Sequence, residues 1–144
     1  MTINVDMDPP YVRRAPESVR LMRQLVAGVG NYQMRRATIA LGLFRDGYWL
    51  RRFVEDPALS GAVKPEGQPT WVDWDRVAEL LETPELLDDD DLEPGTMGPH
   101  LAVLEIAASL GGGRPVDLKH AARVLPAAEW RRLQEVMAPA ADRA

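Results

Sequence analysis

The 144-residue chain has no cysteine, only two histidines (His100 and His120) and only two lysines (Lys64 and Lys119). Without cysteine there is no disulfide framework, no thiolate nucleophile and no cysteine-based zinc or iron–sulfur site. Two histidines offer fewer ligands than a metallohydrolase usually needs, and no serine or acid stands near either at a spacing that suggests a triad. No apolar stretch approaches the roughly 18 residues of a membrane-spanning helix. The first residues, Met1-Thr2-Ile3-Asn4-Val5-Asp6, lack the basic region and apolar run of a signal peptide, so the expected location is the cytoplasm. No repeat of fixed period is present.

What is there is apolar enough to fold. Hydrophobic residues make up 46% of the chain and four are tryptophan, which predicts a packed core rather than a disordered chain. The length suits one domain. The charge is sorted along the sequence. Residues 1–52 carry nine arginines against four acids, residues 53–100 carry two bases against thirteen acids, and residues 101–144 are near balance. The net charge is −5. Like charges repel, so the fold must separate them, neutralise them internally or turn them toward a partner.

The patterning predicts a mostly α, single compact helical domain of about six helices, with at most one small β-hairpin. Residues 1–15, with Asp8-Pro9-Pro10, read as an extended N-terminal arm, residues 16–138 as the domain, and residues 139–144 as a C-terminal tail. Pro16 suits a first helical position, and Val19, Met22, Val26 and Val29 follow one helix face, with Arg20 and Arg23 off it. A second helix runs from about Tyr32 to Arg45. Asp46-Gly47 is turn chemistry, with Asp46 as the expected cap of a short helix through Val54. After a loop and a short strand around Thr70-Trp71-Val72, Asp73 or Asp75 caps the next helix, and Thr83-Pro84 starts one more turn. Residues 88–95 form an exposed acidic loop. Pro99 to Leu110 is apolar nearly all round, as a central buried helix should be, and Gly111-Gly112-Gly113 stops it. Asp117 caps a further helix, and Pro126 opens the last, with Trp130, Leu133 and Met137 inward.

Two stretches, Trp71-Val72-Asp73-Trp74-Asp75-Arg76-Val77 and Ile106 to Leu118 with its Gly-Gly-Gly-Arg-Pro-Val-Asp-Leu end, resemble short uncharacterised actinobacterial proteins in which a Trp-Asp segment precedes a helix-Gly-Pro-Val-Asp-Leu segment. That resemblance covers about the C-terminal half. It implies no catalytic, cofactor-binding or metal-binding residue, since the group has no assigned activity.

Asp88, Asp89, Asp90, Asp91 and Glu93 are the first candidate site. Oxygen ligands suit hard cations, but the alternating ligands, mid-loop glycine and twelfth-position glutamate of a calcium loop are missing. A solvated or partner-binding acidic loop is the expectation, with no metal. Gly111-Gly112-Gly113-Arg114 follows a helix and lacks the Lys-Ser or Lys-Thr of a phosphate loop, so it reads as a helix stop. Trp71 and Trp74 point to opposite faces if strand-like and share one if helical, and core packing is their commoner fate. The second candidate site is arginine-rich. Arg35-Arg36 and Arg51-Arg52 flank a helix-turn-helix-like stretch, and Arg13-Arg14 lie on the arm. These six are the candidate nucleic-acid contacts, although Tyr48, Trp49, Leu50, Phe53 and Val54 crowd the would-be recognition helix with apolar residues. Three uses of the arginines are open: pairing with the acidic segment, binding a protein, or binding DNA. The expected function is therefore a non-enzymatic protein-binding or regulatory module without a cofactor, acting through segregated charged surfaces. The alternative is a small DNA-binding regulator using residues 13–52.

Overall fold

The apolar run after Pro99 becomes the centre of the molecule. In the computed structural model, which describes the backbone of residues 10–138 and the side chains of residues 17–138, this run is the long helix Met97–Gly112. Val103, Leu104, Ile106, Ala107 and Ala108 on it are buried. Pro99 sits in its first turn, where a missing N–H costs no helical hydrogen bond. The helix runs past Gly111 and Gly112 and stops at Gly113, whose φ of +74° is the left-handed conformation that ends helices. Gly111 has a different reason to be glycine: a Cβ there would overlap the Trp74 ring, which lies against the helix backbone.

Among the described residues this helix is one of seven α-helices, and the other six and one small hairpin pack around it. The seven are α1 (Pro10–Ala27), α2 (Tyr32–Leu43), α3 (Tyr48–Glu55), α4 (Trp74–Leu81), α5 (Met97–Gly112), α6 (Leu118–Val124) and α7 (Ala127–Met137). The strands β1 (Val63–Lys64) and β2 (Trp71–Val72) pair antiparallel, with Val63 opposite Val72 and Lys64 opposite Trp71. α5 packs most extensively on α2, and also on α4 and α6, while α1 lies across α2 and α3. The result is a single, mostly helical domain.

Local signals explain most boundaries. Asn31 accepts the Met34 N–H at 3.0 Å to open α2, Asp73 accepts the Asp75 and Arg76 N–H groups to open α4, and Asp117 accepts the His120 N–H to open α6. Three expectations need correction. Helix α1 begins at Pro10 rather than Pro16, so residues 10–15 are not an extended arm; residues 1–9 and 139–144 lie outside the described residues. Helix α2 ends at Leu43, before Arg45. Asp46 does not cap α3, because Arg45, Asp46 and Gly47 all have left-handed φ values (+47°, +58°, +70°) and Gly47 takes the cap position without a side-chain bond.

The two tryptophans of the Trp-Asp segment part company. Trp74 is buried in the core on the first turn of α4, and its indole N–H has no hydrogen-bond partner. Trp71 is 38% exposed on the hairpin, with the Lys64 ammonium 5.8 Å from its ring and bonded onward to Asp73 at 2.5 Å.

Candidate functional site

The sharp reversal at Arg45–Gly47 turns α3 so that Trp49, Leu50 and Phe53 enter the core. With that face committed, Tyr48 and Arg52, four residues apart and hence on one side of the helix, are left facing the segment that precedes α5. That segment is the acidic loop.

Three bonds fasten it. The Tyr48 hydroxyl donates to Asp89 Oδ2 at 2.8 Å, and Arg52 Nη1 donates to the Leu87 carbonyl at 2.6 Å. Arg52 Nη2 reaches the Asp88 carbonyl at 3.4 Å and Asp56 Oδ2 at 2.8 Å. The loop also braces itself, since Asp89 Oδ1 accepts the Asp91 N–H at 2.9 Å. Burial and the bond to Asp89 push the Tyr48 hydroxyl up to about 12. Burial alone would raise the Asp89 carboxyl, but the Tyr48 hydroxyl, the Asp91 N–H and the Arg52 cation outweigh it and hold it below the usual range.

Behind Tyr48 lies His100, only 3% exposed, with ring centroids 4.4 Å from Tyr48 and 5.3 Å from Phe44. Its partners dictate its tautomer. Nδ1 stands 3.0 Å from the Thr96 carbonyl, which can only accept, so Nδ1 carries the proton. Nε2 stands 3.5 Å from Arg45 Nη1, which can only donate, so Nε2 is bare. Burial first, and the Arg45 cation second, lower the His100 pKa against the opposing pull of the Thr96 carbonyl, Glu129 and Asp89. Arg45 meanwhile grips Glu129 of α7 with two bonds of 3.0 and 2.9 Å, a bidentate arrangement. His100 is thus a buried neutral group, whereas His120 is exposed.

The structure divides the predicted site residues. Asp88, Asp90, Asp91 and Glu93 are exposed, and their carboxylates meet no side chain of the described residues; Asp89 is half-buried and bonded. Of the candidate arginines whose side chains are described, only Arg52 bonds to this segment, and through backbone carbonyls rather than the loop's carboxylates. Arg51 is half-buried and bonds to the Asp46 carbonyl. Arg36 is 4% exposed, bonded through Nε to the Val136 carbonyl at the end of α7, with its Nη2 buried and unpartnered. Arg35 is exposed and has no partner among the described residues. The side chains of Arg13 and Arg14 lie outside the described ones. Sequence reasoning missed Tyr48 and His100 as the polar members of this junction. The signal that pointed to Tyr48 was its place four residues before Arg52 on a helix whose other face is apolar.

Among the described residues, no three His, Asp or Glu side chains are gathered so as to hold a metal ion, and no helix is long and apolar enough to cross a membrane. No family model matches the chain, and no curated protein or solved structure is significantly similar to it.

Proposed function

We propose that the chain is a cytosolic, non-enzymatic binding module that presents its acidic loop to a basic segment of another protein. One observation carries this reading. The loop is bonded to α3 by Tyr48, through the Asp89 carboxylate, and by Arg52, through the Leu87 and Asp88 carbonyls, while the carboxylates of Asp88, Asp90, Asp91 and Glu93 meet no partner among the described residues. Fastening the backbone lowers the ordering entropy that binding would otherwise cost, and clustered negative charge speeds encounter with a cationic partner. The DNA-binding alternative draws less support, because Arg36 and Arg52 are held by internal acceptors and the face of α3 holding Trp49, Leu50 and Phe53 is buried.

The test is fluorescence anisotropy with a labelled arginine- and lysine-rich peptide and, in parallel, a labelled DNA duplex. The wild type should bind the peptide and lose affinity as salt shortens the ~8–10 Å screening length. The D88N/D90N/D91N/E93Q variant should lose at least about tenfold in affinity. A control that removes four scattered exposed acids, E55Q/E66Q/D75N/E85Q, should bind nearly as the wild type does. Equal losses in the two variants, or tight salt-dependent duplex binding by the wild type, would refute the reading.

A further inference from the structure

Charge sorting leaves a second surface to explain. Between α1 and α2 runs a groove of about 360 Å³ whose floor is Met22, Val26, Val29 and Ile39 and whose rim carries Arg23 and Arg35. Both arginines are exposed, as is Arg20 one turn before Arg23, and none of the three has a partner among the described residues. Along α1 and α2 the only acid is Glu17. An apolar floor under free guanidinium groups suits a segment that is acidic and apolar together; duplex DNA would leave that floor wet.

This chain carries such a segment. Beside the free carboxylates of the acidic loop, Leu86 is 39% exposed and Leu92 half-buried. Within one molecule the loop is tied to α3 by Tyr48 and Arg52. The groove instead ends beside the hairpin, where Gln24 donates to the Pro69 carbonyl at 2.7 Å and the Gly28 N–H to the Thr70 carbonyl at 3.1 Å. No hydrogen bond or ion pair joins loop and groove among the described residues.

We infer that the α1–α2 groove receives the acidic loop of a second copy of this chain, head to tail. The inference rests on the reading of the loop as a binding element and names a partner for it. Each copy offers one groove and one loop on different surfaces, so the contact is heterologous, and association grows with concentration into open chains unless the rotation closes a ring.

Sedimentation velocity on the full chain tests it. The wild type should show a weight-average mass rising with concentration above the 16.0 kDa monomer at low salt, and returning to monomer at about 500 mM, where screening shortens to a few ångströms. The groove variant R23E/R35E and the loop variant D88K/D90K/D91K should each stay monomeric. Mixed together they should associate again, since each then supplies the charge that the other's reversed site requires. If circular dichroism shows either variant unfolded, R23Q/R35Q and D88N/D90N/D91N replace them, each expected to weaken self-association at least about tenfold. A monomeric wild type overturns the inference, as does self-association that ignores either set of changes or fails to return on mixing. A monomeric chain that still binds the basic peptide through its loop would sink self-association alone and leave the proposed function standing.

Discussion

Arg52 on α3 and Arg23 on α1 lie in the same arginine-rich half of the chain, and the fold uses them in opposite ways. Arg52 is mostly covered, with 14% of its side chain exposed, and bonds to Asp56 and to the Leu87 and Asp88 carbonyls, while its guanidinium stands 5.4 Å from the Trp49 ring. Arg23 stands at the edge of an apolar groove with no partner among the described residues. The α3–loop junction is a finished piece of structure, in which cations, a phenol, a histidine and carbonyls satisfy one another. The α1–α2 face is unfinished by that measure. Sorted charge along a sequence therefore does not say which cations are structural; what decides is whether the helix under each one turns toward a chain segment with free acceptors.

The contrast is breakable by substitution, and the largest effect should come from the junction's apolar root. Trp49 is fully buried and donates its indole N–H to the His100 carbonyl at 2.8 Å. Trp49→Ala should cost about 3–5 kcal/mol in urea unfolding, as aromatic truncations in cores do; a loss under about 1 kcal/mol would mean that the junction is not anchored through the core.

Next comes Arg52→Gln. Removing a charged donor from four acceptors (the Tyr48 hydroxyl, Asp56 and the Leu87 and Asp88 carbonyls) should cost about 1.5–3 kcal/mol and free the loop, visible as faster amide exchange at Asp88 to Asp91. A stability unchanged by this substitution would place Arg52 with the surface arginines and erase the distinction.

A gentler probe is pH. The fold holds His100 neutral, with a pKa below its ordinary 6.5, so the unfolded chain takes up a proton first as the pH falls. The sign follows: stability is full above about 6.5 and declines as the pH drops through it toward the native pKa. Unfolding curves between about pH 7.5 and pH 5 should show this slope in the wild type and a flatter one in His100→Gln, ahead of the acid range where Asp89, Asp56 and Asp73 begin to titrate. Identical slopes in the two proteins would show that His100 is not the group responsible.

The smallest effect belongs to the groove. Arg23→Gln with Arg35→Gln should shift stability by no more than about 0.5 kcal/mol, because exposed side chains without partners contribute little. A larger loss would show that these arginines, like Arg52, belong to the folded architecture rather than to a binding surface.

The helices and most of their ends were legible because their causes are local. Apolar residues at three-and-four spacing, the Asp73 and Asp117 caps, and a run such as Val103 to Ala108 act over one or two turns, so residue order determines them. The failures come from backbone conformations and distant contacts that residue order does not display. Asp46 looks like a cap until the Arg45–Gly47 backbone is seen in the left-handed region, and Gly111 looks like a helix stop until the Trp74 ring is found against it. Arg36 and Arg35 are neighbours in sequence, yet one is buried beneath the end of α7 and the other is exposed. By itself, the sequence determined a helical domain, its apolar centre and the segregation of charge. Only the tertiary structure decided that His100 is buried and neutral, that Arg52 fastens the acidic loop, and that Arg23 and Arg35 remain available, because each depends on which distant carbonyl, ring or carboxylate the fold brings within about 3–5 Å.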